Sequence, residues 1–163
     1  MINAAKIVNK PLETMRIAFI GAGASNVACS RLLFAYGVDP SNCVMVDSTG
    51  ILGKHRRDVY LRRADLVQRW HLCQITNAEE LQGDMETALR GADAVVSFSQ
   101  PGPDVTTPEC IQGMAKDAIV LHRPNTIPES WPQEAPRVGA AVLATGPPGF
   151  PTQGNQPHGF PRI

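Results

Sequence analysis

Apolar residues along this chain fall in short runs, separated by stretches with helical spacing. Residues 16–20 are apolar at every position after the first, which predicts a strand covered on both faces. Residues 43–46, 94–98, 118–121 and 141–144 repeat that pattern. Between the first two runs, residues 24–36 predict a helix. Val27, Ala28, Leu32 and Ala35 can line one face of it, and Gly37 stands where a helix C′ residue belongs. Residues 59–72 have helical spacing, and 85–89 close a further helix ahead of Gly91. Thr107-Pro-Glu109 opens another in the expected way, with a capping hydroxyl, proline in the first turn and an acid beside it. That helix is expected to end near Lys116. A short helix is expected over 4–9, and one more over 129–135. Strands alternating with helices require right-handed crossovers, so the predicted fold is α/β, doubly wound, with a mostly parallel sheet and helices on both faces.

Ligands gather at the carboxyl ends of strands in such sheets. The first strand runs into Gly21-Ala-Gly23-Ala-Ser25 and the second ends in Asp47. Glycines let the backbone approach a diphosphate, and a helix N-terminus offers free N–H groups and a positive dipole end. An acid one strand over takes ribose hydroxyls. The fold is therefore expected to be Rossmann-like and its ligand a dinucleotide. Gly21, Gly23, Ala24 and Ser25 are the candidate phosphate contacts, and Asp47 the candidate ribose ligand. Asn26 takes the place of the third glycine of the usual fingerprint and is expected to hold helix and sheet slightly apart. An acid at Asp47 opposes a 2′-phosphate, so NAD is expected over NADP. The basic run Lys54-His-Arg-Arg57 reads as an exposed loop. Ser99 and Gln100, after the strand at 94–98, are candidates to lie along the cofactor's ribose or nicotinamide.

The 163 residues carry a net charge of +0, with 43% hydrophobic and 18% charged residues, so no basic surface for nucleic acid or an anionic membrane is expected. No run approaches the roughly 20 apolar residues that span a bilayer, and no secretory signal is legible, so the expected compartment is the cytoplasm. Cys29, Cys43, Cys73 and Cys110 lack CxxC spacing and read as buried free thiols, not a zinc site or disulfide set. Prolines and glycines crowd the end of the chain. Residues 1–146 are therefore expected to form the folded domain and 147–163 an irregular tail.

These segments, in this order, resemble the C-terminal NAD(P)-binding domain of malic enzymes (malate oxidoreductases) of the shorter bacterial and archaeal type. The likeness runs through Ala4-Ala-Lys-Ile-Val-Asn-Lys-Pro-Leu-Glu13, Gly21-Ala-Gly-Ala-Ser-Asn-Val-Ala-Cys29 and Val46-Asp-Ser-Thr-Gly-Ile-Leu52. It continues through Ala88-Leu-Arg-Gly-Ala-Asp-Ala-Val-Val-Ser97, Pro101-Gly-Pro103, Thr107-Pro-Glu109 and Met114-Ala-Lys-Asp-Ala-Ile-Val120. The resemblance implies oxidative decarboxylation of malate to pyruvate and CO2 with NAD(P) and Mg or Mn. It places the acid–base tyrosine and lysine and the metal carboxylates outside this chain, so no catalytic or metal-binding residue is expected within it. Thr49 stands where the family has lysine, which again favours NAD.

On the substrate side the resemblance makes Asn125 a candidate for cofactor or substrate and Asn155 a candidate for substrate. Thr126 replaces a family proline. Pro147, Pro148 and Gly149 replace an Arg-Ser-Asp triplet, Thr152 and Gly154 replace an Asn and a Val, and Gln156 replaces the second of two asparagines. Two readings follow: the nucleotide-binding part of a malic-enzyme-type oxidoreductase completed by another chain or domain, or a stand-alone, non-catalytic dinucleotide-binding or regulatory module. A homo-oligomer is expected in either case.

Overall fold

The computed structural model describes residues 1–98, 108–122 and 140–144. Within them the elements run α1 (Ile2–Ile7), β1 (Ile17–Ile20), α2 (Ala24–Ala35), β2 (Cys43–Asp47), β3 (Gly50–Ile51), α3 (Arg57–Leu61) and α4 (Val67–Ile75), followed by α5 (Met85–Leu89), β4 (Ala94–Ser97), α6 (Pro108–Gln112), β5 (Ala118–His122) and β6 (Ala140–Ala144). The six strands form one sheet in the order β3-β2-β1-β4-β5-β6. All pairings are parallel except β2 with β3.

The apolar runs become buried strands because each lies between two cores. Ile17, Phe19, Cys43, Met45 and Val96 point into one, shared with α1, α2 and α4. Ala18, Ile20, Val44, Val46 and Val95 point into the other, shared with α5 and α6. Alternation along a pleat sends neighbouring residues to opposite faces, so both parities must be apolar here. From β1 the chain winds outward to β3, then returns to β4 on the far side of β1. The order thus reverses between β1 and β4, and the ligand crevice of such a sheet lies outside the strand ends at that point.

Three expectations need correction. First, β3 is a two-residue antiparallel strand joined to β2 through Ser48 and Thr49. Gly50 has φ +133°, and a Cβ there would sit 2.6 Å from the Gly83 carbonyl oxygen, so only glycine closes this hairpin. Second, the helix expected over 59–72 is two. The Tyr60 and Trp70 rings meet edge-on at 5.2 Å, and the Arg63 guanidinium lies 4.4 Å from the Tyr60 ring centre. Ten residues of one helix would put Tyr60 and Trp70 about 15 Å apart, so that contact requires the break after Leu61. Third, α2 buries Asn26, Ser30 and Leu33, whereas Ala28, Leu32 and Ala35 face outward and Val27 is half-buried. Gly37 does end α2, at φ +107°. The helix expected over 129–135 and the tail 147–163 lie outside the described residues.

Candidate dinucleotide site

Gly21 ends β1 with φ +100°, a conformation that favours glycine, and its N–H donates to the Val46 carbonyl at 2.8 Å. The loop is thereby tied to the end of β2. Gly23 differs. Its backbone is ordinary (φ −82°, ψ 172°), and a Cβ built on it meets nothing within 4 Å. Neither conformation nor packing in the chain itself requires glycine at that position. No side chain caps α2, so the amides of its first turn stand at the loop without a protein side-chain acceptor. A diphosphate fits such a place: room where a Cβ would stand, beside unshared N–H groups and the positive end of a 12-residue helix.

Asn26 is buried and acts as a tie, not a spacer. Its Nδ2 donates to the carbonyls of Ile20 at 2.6 Å and Gly21 at 2.7 Å, clamping the first turn of α2 to the end of β1. Two carbonyl partners fix which end of the amide is the nitrogen. Its Oδ1 is buried without a hydrogen-bond partner.

Asp47 sits at the end of β2, where the sequence placed it, with its carboxylate already engaged. Oδ1 accepts from the N–H of Thr49 at 2.9 Å and of Gly50 at 3.2 Å, which shapes the β2–β3 turn. Arg56 adds a two-pronged ion pair, Nη1 to Oδ1 at 2.9 Å and Nη2 to Oδ2 at 3.0 Å. Arg56 was expected in an exposed loop; the structure buries its side chain to 8% exposure, while Lys54 and Arg57 are exposed. Its remaining N–H groups go to Asp58 at 2.7 Å twice and to the Gly50 carbonyl at 3.2 Å. All five guanidinium donors are used. These bonds hold the Arg56 charge more firmly than usual and, led by the one from Arg56, draw Asp58 down to about 2. Arg69, on α4, approaches the Asp47 Oδ2 at 3.9 Å and keeps 39% of its side chain exposed.

Gly21 and Asp47 line one cavity of about 910 Å³, with Ser48, Thr49, His55 and Arg56 along one wall and Gln82 and Thr87 along another. That volume lies within the range of small-molecule sites. Ala22 and Ala24 line a second hollow of about 430 Å³ on the other side of the loop, with Arg31 and Arg69. Gly23 and Ser25 are exposed on the same turn. The structure thus brings Gly21 and Asp47 to one cavity and leaves Gly23, Ala24 and Ser25 on the adjoining turn, with Ala24 in the second hollow. Ser99, Gln100, Asn125 and Asn155 lie outside the described residues. Sequence reasoning missed the tie made by Asn26, the wall contributed by Gln82 and Thr87, and the burial of Arg56. For the last a signal existed: acids at positions 47 and 58 flank the basic run.

No family model matches the chain. The NAD-dependent malic enzyme of Geobacillus stearothermophilus is 36% identical over 165 residues, spanning 100% of this chain and 32% of the relative. The NADP-dependent malic enzyme of Halomonas elongata is 35% identical, spanning 100% and 36%. Among solved structures, the malic enzyme of Pyrococcus horikoshii superposes with a TM-score of 0.84 at 37% identity, covering 98% of this chain and 37% of that one. The chain belongs to the malic enzyme family. It spans about a third of the length of these three malic enzymes. Its malic enzyme region has the Rossmann-like fold expected from sequence, and the relatives include both NAD- and NADP-dependent proteins. Among the described residues, no group of three or more His, Cys, Asp or Glu is placed to hold a metal ion, and no helix is long and apolar enough to cross a membrane.

Proposed function

We propose that this malic enzyme domain binds NAD and forms the coenzyme-binding part of an enzyme that converts malate to pyruvate and CO2. The observation that carries the reading is Gly23, a glycine that neither its backbone conformation nor its packing requires, beside a helix start without a side-chain cap and one strand from Asp47. Gly21, Gly23, Ala24 and Ser25 hold the diphosphate through backbone N–H groups. Asp47 takes the adenosine ribose. Its Oδ1 already accepts three hydrogen bonds, so Oδ2 receives a single hydroxyl in place of the two-pronged contact expected from sequence. Ser99, Gln100 and Asn125 line the nicotinamide side, and Asn125 and Asn155 meet the substrate. Bound NAD supplies the hydride acceptor. The acid–base pair and the carboxylates for Mg or Mn come from the part of the enzyme beyond this region, and the compartment is the cytoplasm.

NAD is preferred over NADP because Asp47 and Thr49 offer a 2′-phosphate no cation. Arg56 cannot supply one, since its donors are used. Arg69 is the group that weakens the preference. The second reading, a non-catalytic module, draws its support from Pro147-Pro-Gly149, which lacks the polar side chains of the family motif.

The test compares the parent with Gly23→Val. Valine adopts the native φ there and its Cβ meets nothing, so the variant folds, with a loss of about 1 kcal/mol from the poorer N-cap, and NAD binding is read as the ligand-induced shift of each protein from its own baseline. NAD at 100 times its Kd stabilises the parent by about 2.7 kcal/mol. The variant should lose at least about 100-fold in affinity, or roughly 2.7 kcal/mol. Equal NAD binding by the two proteins, or none by the parent at millimolar NAD, ends the reading. NADP titrated alongside decides the preference.

A further inference from the structure

Helix α2 is apolar on almost every side. Ser25, Asn26, Ser30 and Arg31 are its polar residues, and Asn26 and Ser30 face the sheet, not solvent. A helix apolar all round is characteristically enclosed all round. Among the described residues only one side is covered. On the other, Ala28, Leu32, Ala35 and Tyr36 recur at i, i+4, i+7 and i+8, with Leu32 71% and Tyr36 66% exposed. Val67 of α4, 57% exposed, lines the same hollow as Ala28 and extends the surface. Ala28, Leu32 and Ala35 belong to the face expected from sequence to be covered.

We propose that this face is the docking surface for the part of a malic enzyme that lies outside the region described here. The inference deepens the reading above and rests on it, because the occupant is the catalytic part that reading requires. Two observations select this occupant. The chain spans 20–38% of its curated relatives, so each carries far more polypeptide to be packed against this domain. Met1 and, on α2, Cys29 pack on the same core, so residue 1 lies on the α2 side of the sheet.

The test uses Leu32→Cys and, as an exposed control, Arg90→Cys, whose parent side chain is 75% exposed. Each is made in the isolated chain and in a chimera in which this chain replaces the matching region of the Pyrococcus horikoshii malic enzyme. Maleimide labelling is followed by peptide mass spectrometry, which separates these sites from the native thiols. Leu32→Cys should label at least about tenfold more slowly in the chimera than in the isolated chain, while Arg90→Cys labels equally in both. Equal rates at Leu32→Cys overturn the proposal, including in a chimera whose parts fail to join. Protection in the isolated chain that grows with concentration also overturns it, since the occupant is then a second copy. NAD-dependent melting of the isolated chain is read separately. A missing NAD shift with protected Leu32→Cys removes the coenzyme reading alone, and a normal shift with fast labelling removes the docking surface alone.

Discussion

The two ends of the site are built on opposite principles. At the phosphate end, Gly21 to Asn26, side chains are withdrawn. Gly23 leaves space, α2 begins without a cap, and the buried amide of Asn26 ties down carbonyls behind the loop. At the ribose end, Asp47 to Asp58, side chains are packed together and nearly every polar atom is paired. The first end is open. The second is closed by its own ion pairs, so under the proposed reading a ribose hydroxyl fits around Arg56. Rigidity therefore comes from hydrogen bonds behind the loop in one case and within the contact residues themselves in the other. A substitution that removes a partner should cost stability at the ribose end and position at the phosphate end.

The sharpest way to break this contrast is Arg56→Ala. It leaves Asp47 buried with the Thr49 and Gly50 N–H groups and, at 3.9 Å, the half-exposed Arg69 guanidinium. Removing one partner of a buried pair costs about 3–5 kcal/mol, and the surviving N–H bonds put the expectation near about 3 kcal/mol. Urea unfolding measures it. A loss under about 1 kcal/mol would show that the pair does not hold the ribose end together. The same geometry complicates Asp47→Ala as a probe of coenzyme choice. That change strands Arg56 as well as removing the ribose acceptor, so only the NAD-to-NADP affinity ratio carries information.

At the phosphate end the matching change is Asn26→Ala. Two carbonyls, of Ile20 and Gly21, lose their buried donor. Leaving buried acceptors unpaired costs about 1–3 kcal/mol, somewhat below the effect at Arg56, because the orphaned Oδ1 disappears too. The NAD-induced shift should fall further than the stability does, since this amide, together with the Gly21 N–H bond to Val46, holds the loop from behind. Unchanged NAD affinity in a folded Asn26→Ala protein would break the claim that the tie positions the loop.

Legibility in the sequence followed the range of the forces involved. The strands were readable because burial on both faces leaves an uninterrupted apolar run, as in Ile17-Ala-Phe-Ile20. The loop at Gly21 was readable because a left-handed turn at a strand end is a local demand. The buried face of α2 was not, because a helix apolar all round has no preferred side in its own spacing. What decided it was the fit of Ser30 and Leu33 against the sheet, which only the fold supplies. The break between α3 and α4 depends on a ring contact ten residues apart in sequence. Arg56 looked like one of several surface cations because its burial depends on two carboxylates, nine residues back and two ahead.

The smallest expected effect tests whether the network at the ribose end extends to its rim. Asp58 is held at about 2, below its ordinary 3.8, chiefly by the hydrogen bond from Arg56. A depressed carboxyl stabilises the fold fully above the unfolded value and loses that contribution as the solution is acidified through the folded one. The window is therefore from about pH 4 down to about pH 2, with stability falling as pH falls. Asp58 is more than half exposed, so solvent screening limits the contribution to under about 1 kcal/mol. Asp58→Asn should flatten that segment of the stability–pH curve while leaving the neutral-pH melting temperature within a few degrees of the parent. Identical curves for the two proteins across this window would confine the working pair to Arg56 and Asp47. The ribose end would then be a single buried ion pair with an exposed acid beside it.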